Sequence, residues 1–153
     1  MANKNDNTKT RMEAFDVAAH KFEEYLNYHK ITYQNFGISK KIKNSGKMPR
    51  FVRNAPDYIV SNRFVSFFEV KGCRNELWLK IKDLDEYKRW NKIMNLKYFF
   101  YSTTYKKAKF INHVTLINLL ATAPIKQLDD PNIYDDKKCY VLQWKDIRRC
   151  NEV

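Results

Sequence analysis

A chain of 153 residues that is 44% hydrophobic and 15% aromatic, with only three glycines and four prolines, is long enough for one packed core and too apolar for a disordered protein. Its formal net charge of +12 favours a polyanionic partner such as nucleic acid. Three cysteines without a CxxC spacing exclude a zinc ribbon or a disulfide framework and suit the reducing cytoplasm, and the sequence has no apolar run of about 18 residues that could span a membrane.

The first part of the chain is predicted to contain a disordered segment, a helix and a strand. Residues 1–10 are polar and are expected to be poorly ordered, which leaves one domain over 11–153. Apolar side chains recur at helical spacing over 11–29 and predict an amphipathic helix there. Residues 31–36 are predicted to form a short strand that ends at Gly37.

Basic residues then accumulate, and no acid occurs between Glu24 and Asp57. The segment 39–54 contains Gly46 and Pro49 and is predicted to be a loop or an irregular ribbon. Such a run is usually a solvated face, but unbalanced positive charge that leads directly into Asp57 favours contact with nucleic-acid phosphates. The expected contacts are Lys40, Lys41, Lys43, Lys47, Arg50 and Arg53.

Residues 55–72, with the sequence APDYIVSNRFVSFFEVKG, are predicted to form two apolar strands around a polar break. Glu69 and Lys71 share one face of the second strand because side chains alternate along a strand. A two-residue turn would place Asp57 on the opposite face, whereas a three-residue connection over 62–64 would place Asp57 directly opposite Glu69. A catalytic site at this stretch therefore requires the odd-length connection.

If the two acids converge, they suit Mg²⁺, which prefers hard oxygen ligands and keeps water for a substrate phosphate. Lys71 could then hold or activate the attacking water and balance negative charge. Two acids and a lysine arranged in this way are suited to phosphodiester hydrolysis.

Downstream, the apolar spacing predicts two further helices and three strands. The helices are expected over 77–94 and 113–121, and the strands over 96–102, 110–111 and 140–144. Helices and strands in this order favour an α/β fold with a mixed sheet flanked by helices.

Pro56-Asp57, a gap of eleven residues, and Glu69-Val70-Lys71 together resemble the PD-(D/E)XK nuclease superfamily, in particular its small phage and archaeal Holliday-junction resolvase-like endonucleases. The resemblance covers about residues 11–103. It implies a restriction-endonuclease-like αβββαβ core, DNA as the partner, and Mg²⁺ as the cofactor with Mn²⁺ as a substitute. It also implies that Asp57 and Glu69 are metal ligands and that Lys71 is the catalytic lysine.

The first helix departs from that family's pattern. The family often supplies a further acid from this helix, but the aligned position falls near Ala19. His20, Asp16 and Glu13 are the nearest substitutes, and His20 is the preferred catalytic and metal-binding residue, against the alternative of a plain surface histidine.

The sequence thus predicts a Mg²⁺-dependent DNA endonuclease that acts on branched or structured DNA, as a symmetric homodimer if it cuts two strands symmetrically. Two alternatives stay open. One is another nuclease of the same superfamily, namely an exonuclease, a restriction or mismatch-type enzyme, or an RNA endonuclease. The other is a non-catalytic nucleic-acid-binding domain in which Asp57 and Glu69 are structural.

Overall fold

The computed structural model describes residues 5–37, 47–127 and 138–150, with side chains from Glu13 onward. The helices are α1 (Asn5–Tyr28), α2 (Arg50–Arg53), α3 (Ile81–Ile93), α4 (His113–Leu120) and α5 (Trp144–Ile147). The strands are β1 (Thr32–Asn35), β2 (Tyr58–Ser61), β3 (Val65–Cys73), β4 (Glu76–Lys80), β5 (Leu96–Ser102), β6 (Lys107–Asn112), β7 (Ile125–Gln127) and β8 (Lys138–Gln143).

The strands form two sheets. The central sheet has five strands in the order β1-β2-β3-β5-β6, in which only β3 and β5 are parallel neighbours. A second, antiparallel sheet has the order β4-β8-β7. The central mixed sheet flanked by helices confirms the predicted α/β class.

Helix α1 packs on one face of the central sheet. Its buried side chains Ala18, Phe22 and Leu26 contact the face of β3 that carries Phe68 and Val70. At the far end of this contact the two backbones almost touch, since a Cβ atom on Gly72 would lie 1.9 Å from the carbonyl oxygen of Ala14. Only glycine fits at this crossing.

The opposite face of β3 and β5 packs against α3, the second sheet and α4. Phe67, Tyr98 and Phe100 belong to this core, together with Tyr87 and Trp90 of α3. Because α1 covers the even-numbered side of β3, the odd-numbered side chains of that strand point toward α3.

Helix α3 also fixes the segment that leads into β2. The Trp90 ring stacks on Phe51 at 4.4 Å between ring centroids, and its indole N–H donates to the Phe51 carbonyl at 3.0 Å. Asn54 donates a hydrogen bond of 3.0 Å to Asp83. The start of β2 is therefore attached to the same helix that faces β3.

The prediction of one helix over 77–94 is wrong at its beginning. Leu77 and Leu79 are buried while their neighbours are more exposed, a two-residue period that suits the strand β4 and its pairing with β8. Helix α1 begins at Asn5, inside the segment expected to be poorly ordered, and α2 lies inside the expected loop. The strand β5 has the predicted bounds, and the sequence patterns did not predict β7 or α5.

Across the ranges given above, no helix combines the length and the apolar character that a membrane span requires.

Replacing Gly72 with alanine should destabilise the protein, because the new methyl group must displace the backbone of α1. We expect a loss of at least about 2 kcal/mol in the free energy of unfolding, as for other overpacked sites. Urea denaturation followed by circular dichroism measures it. Val65→Ala, at an exposed position of the same strand, is the matched control and should cost less than about 1 kcal/mol. Equal effects of the two substitutions would contradict the close crossing.

Candidate active site

The hairpin formed by β2 and β3 has the odd-length connection. Ser61 pairs with Val65, so that three residues, 62–64, join the strands. Tyr58 pairs with Phe68, and continuing this register by one residue sets Asp57 opposite Glu69. The register required for a catalytic site is therefore present.

Glu69 is a buried carboxylate whose two oxygens differ in their surroundings. Only 5% of the residue is exposed. Its Oε1 accepts a hydrogen bond of 2.7 Å from the Tyr87 hydroxyl and lies 2.5 Å from the ammonium nitrogen of Lys71. Its Oε2 is buried and has no hydrogen-bond partner among the residues that the structure describes. An unsatisfied buried oxygen of this kind is costly unless something else binds it.

Asp57 lies partly buried beside Glu69. Its Oδ2 accepts a hydrogen bond of 2.8 Å from the backbone N–H of Val70. Burial, and after it the negative charge of Glu69, raises the pKa of Asp57 to about 7, although Lys71 and the Val70 N–H act in the opposite direction. The charge of Glu69 beside the buried Asp57 creates a local demand for positive charge.

Lys71 supplies part of that charge. Burial alone would lower the pKa of Lys71, but the neighbouring Glu69, Tyr87 and Asp57 together raise it well above its usual value. The ammonium nitrogen also lies 5.9 Å from the centre of the Tyr87 ring. Lys71 is therefore placed as a charged hydrogen-bond donor in the metal-free site.

Tyr87 of α3 is a site residue that the sequence patterns did not identify. Its hydroxyl fixes Glu69, and burial followed by the charge of Glu69 raises the pKa of that hydroxyl well above its usual value. A buried tyrosine needs a partner for its hydroxyl, which is the signal that could have identified it.

The two carboxylates suit a divalent cation whose remaining ligands are water or substrate oxygens. The oxygen of Glu69 without a partner and the raised pKa of Asp57 both indicate a place for positive charge. Within the described ranges, no group of three or more His, Cys, Asp or Glu side chains is arranged to hold a metal. Mg²⁺ commonly binds through one or two carboxylates and completes its shell with water and substrate phosphate.

His20 lies away from this cluster in the described structure, and its role as a third ligand stays a prediction. Its side chain is 71% exposed and its Nε2 lies 2.9 Å from Glu24. The physical reason is helical geometry, because Ala18 faces the sheet and a residue two positions later points away from it. The alternatives Asp16 and Glu13 are also exposed.

The predicted basic contacts have different environments. Lys47 and Arg53 are exposed, whereas Arg50 lies 3.4 Å from Asp83 and helps to attach α2 to α3. Their contact with nucleic acid stays a prediction. The remaining three, Lys40, Lys41 and Lys43, lie outside the described residues.

Comparison with known proteins extends the fold assignment. No protein family model and no curated protein matches the chain. Among solved structures the fold is similar to that of a nuclease from a fusselovirus, with a TM-score of 0.50 and 11% sequence identity over 86% of this chain and 81% of that one. At this identity the likeness concerns the fold.

Replacing Asp57 with asparagine should change how stability depends on pH in the metal-free protein. The folded-state pKa near 7 lies above the usual value near 4, so the folded chain holds a proton that the unfolded chain has released, and stability falls as pH rises through this window. The new amide keeps an acceptor for the Val70 N–H without the charge. Asp57→Asn should therefore be more stable than wild type at pH 8, by no more than about 4 kcal/mol, since one pKa unit corresponds to about 1.4 kcal/mol.

Urea denaturation in EDTA at pH 5 and pH 8 measures this difference. Asp85→Asn, at an exposed carboxylate of α3, serves as the control and should follow the wild-type pH dependence. Parallel curves for Asp57→Asn and wild type would show that Asp57 is not perturbed.

Proposed function

We propose that the protein is a Mg²⁺-dependent endonuclease that hydrolyses phosphodiester bonds in DNA. The observation that carries the proposal is the arrangement of Asp57 opposite Glu69, with Lys71 against one oxygen of Glu69 and the other oxygen buried without a partner in the described structure. The likeness of the fold to a viral nuclease and the net charge of +12 support the same conclusion.

Asp57 and Glu69 would hold the metal ion, with Mn²⁺ able to replace Mg²⁺. When bound, the ion polarises a phosphoryl oxygen and lowers the pKa of a coordinated water. Tyr87 and Lys71 contact Oε1 of Glu69, which leaves Oε2 available. The Lys71 ammonium can donate a hydrogen bond to the attacking water or to the phosphate, and it stabilises the negative charge that develops there. In this role Lys71 positions the nucleophile as a hydrogen-bond donor.

The proposed substrate is branched or structured DNA. In the described residues the central sheet carries the candidate site. Recognition of backbone shape needs less protein surface than recognition of bases. Symmetric cutting of two strands would be carried out by a dimer with two-fold symmetry.

Asp57→Ala should abolish cleavage, because one of the two carboxylates is lost. The assay compares wild type and variant on labelled linear duplex, nicked duplex, four-way junction and single-stranded RNA, with Mg²⁺ and with EDTA. We expect wild type to cut internally in DNA only with the metal, and to prefer the junction. Asp85→Ala, an exposed acid of α3, should cut like wild type.

Absence of cleavage by wild type with both Mg²⁺ and Mn²⁺ would overturn the enzyme assignment. Stepwise removal of end nucleotides would show that the protein is an exonuclease. Cutting of RNA alone would show that it is a ribonuclease.

Lys71→Met should separate catalysis from metal binding. Loss of the ammonium should lower kcat by about 10² to 10³, the usual effect of removing one donor that stabilises developing charge. Mn²⁺ binding, measured by calorimetry, should persist or tighten because a positive charge next to Glu69 has been removed. Glu69→Gln should lose both properties. Loss of Mn²⁺ binding in a folded Lys71→Met protein would contradict these roles.

A further inference from the structure

Two loops meet at the end of the central sheet where the parallel strands β3 and β5 finish. The backbone N–H and the hydroxyl of Thr103 both donate to the carbonyl of Cys73, at 2.8 and 3.2 Å. The Ser102 hydroxyl donates to the carbonyl of Arg74 and accepts from the N–H of Tyr105. These bonds join residues 73–74 and 102–105 into one unit.

The joined loops lie on the same strands as the candidate active site. Lys71 pairs with Phe100 in the parallel register, and Arg74 follows Lys71 by three residues, or about 10 Å at the rise of a strand. A nucleic-acid strand carries a phosphate at every nucleotide. A strand with one phosphate at Asp57 and Glu69 therefore has further phosphates within reach of these loops.

Three exposed cations lie in these loops or directly after them, namely Arg74, Lys106 and Lys107, the last being the first residue of β6. No acid occurs over 70–75 or 99–112 in the sequence. None of the three cations forms an ion pair with any residue in the described ranges. The next acid along the chain, Glu76, already accepts hydrogen bonds from Trp78 and Gln143. The charges of these three residues are therefore unbalanced by described acids, whereas Asp83 balances the charge of Arg50.

Lys106 stands in a backbone conformation that disfavours it. Its φ angle is 51°, in the left-handed region where glycine or asparagine is accommodated with less strain. A lysine at this turn therefore keeps a charge at the tip of the loop in spite of the backbone strain. Beside it, Tyr105 is 51% exposed, and its ring can pack on a sugar or a base.

We propose that Arg74, Lys106 and Lys107 bind backbone phosphates of the DNA strand on one side of the bond at Asp57 and Glu69. The surface positions the strand and reads no bases. This inference rests on the proposed function for the identity of the ligand, but the contact itself can be measured without cleavage.

The test measures binding of labelled linear duplex to wild-type protein in EDTA by fluorescence anisotropy, at several KCl concentrations. The variant is Arg74→Gln/Lys106→Gln/Lys107→Gln. Each phosphate contact contributes about 0.9 to the slope of log affinity against log salt, so the slope should fall by about 2 to 3. The affinity at 0.1 M salt should fall by about 10- to 100-fold.

The matched control removes one arginine and two lysines at exposed positions elsewhere, as Arg149→Gln/Lys88→Gln/Lys92→Gln. It should keep the wild-type slope. Equal losses in both triple variants would mean that only net charge matters, and an unchanged slope in the first variant would mean that the loops do not contact DNA. Either result overturns the proposal.

Lys106→Gly separates binding from folding. Glycine suits the left-handed turn, so the melting temperature should stay the same or rise, while the salt slope should fall by about 1. A lower melting temperature with unchanged binding would assign Lys106 a structural role and refute its role in DNA binding.

Cleavage distinguishes failure of this inference from failure of the proposed function. If both hold, the loop variant should cut with a raised KM and a nearly unchanged kcat. If wild type does not cut at all, the difference in salt slope still decides whether the loops bind DNA.

Discussion

The buried carboxylate of Glu69 is the constraint on which the candidate site depends. A charge removed from water is tolerated only where partners replace the lost hydration. Tyr87 and Lys71 do so for one oxygen, and nothing in the described structure does so for the other. The fold therefore provides hydrogen-bond partners for Oε1 of Glu69 and leaves Oε2 free to bind a ligand. A purely structural glutamate would have no reason to keep this cost.

The two faces of β3 meet different requirements. One face packs tightly, with Phe68 and Val70 under α1 and with Gly72 at a backbone crossing that admits no side chain. The other face carries Glu69 and Lys71, whose charges need polar neighbours. Strand alternation separates these demands residue by residue. The even-numbered residues of β3 therefore serve packing, and the odd-numbered Glu69 and Lys71 serve the candidate site.

The sequence predicted those features that depend on local periodicity. Two apolar runs around a polar break over 55–72 identified the hairpin. The need for Asp57 to meet Glu69 selected the three-residue connection found between Ser61 and Val65. The continuous apolar run of β5 gave its bounds directly. Features that depend on distant contacts were not predicted. Strand β4 has only five residues, too few for its two-residue period to stand out from the helical pattern that follows. The outward direction of His20 depends on which side of α1 packs on the sheet.

Helix α3 attaches to both acids by separate routes. Tyr87 holds Glu69 directly, while Asp83 and Trp90 hold the segment in front of Asp57. The spacing of the two carboxylates is thus set by a single rigid element and not by the hairpin alone. A tilt of this helix would displace Glu69 and the segment in front of Asp57 together, so α3 sets the position of the pair as well as its spacing.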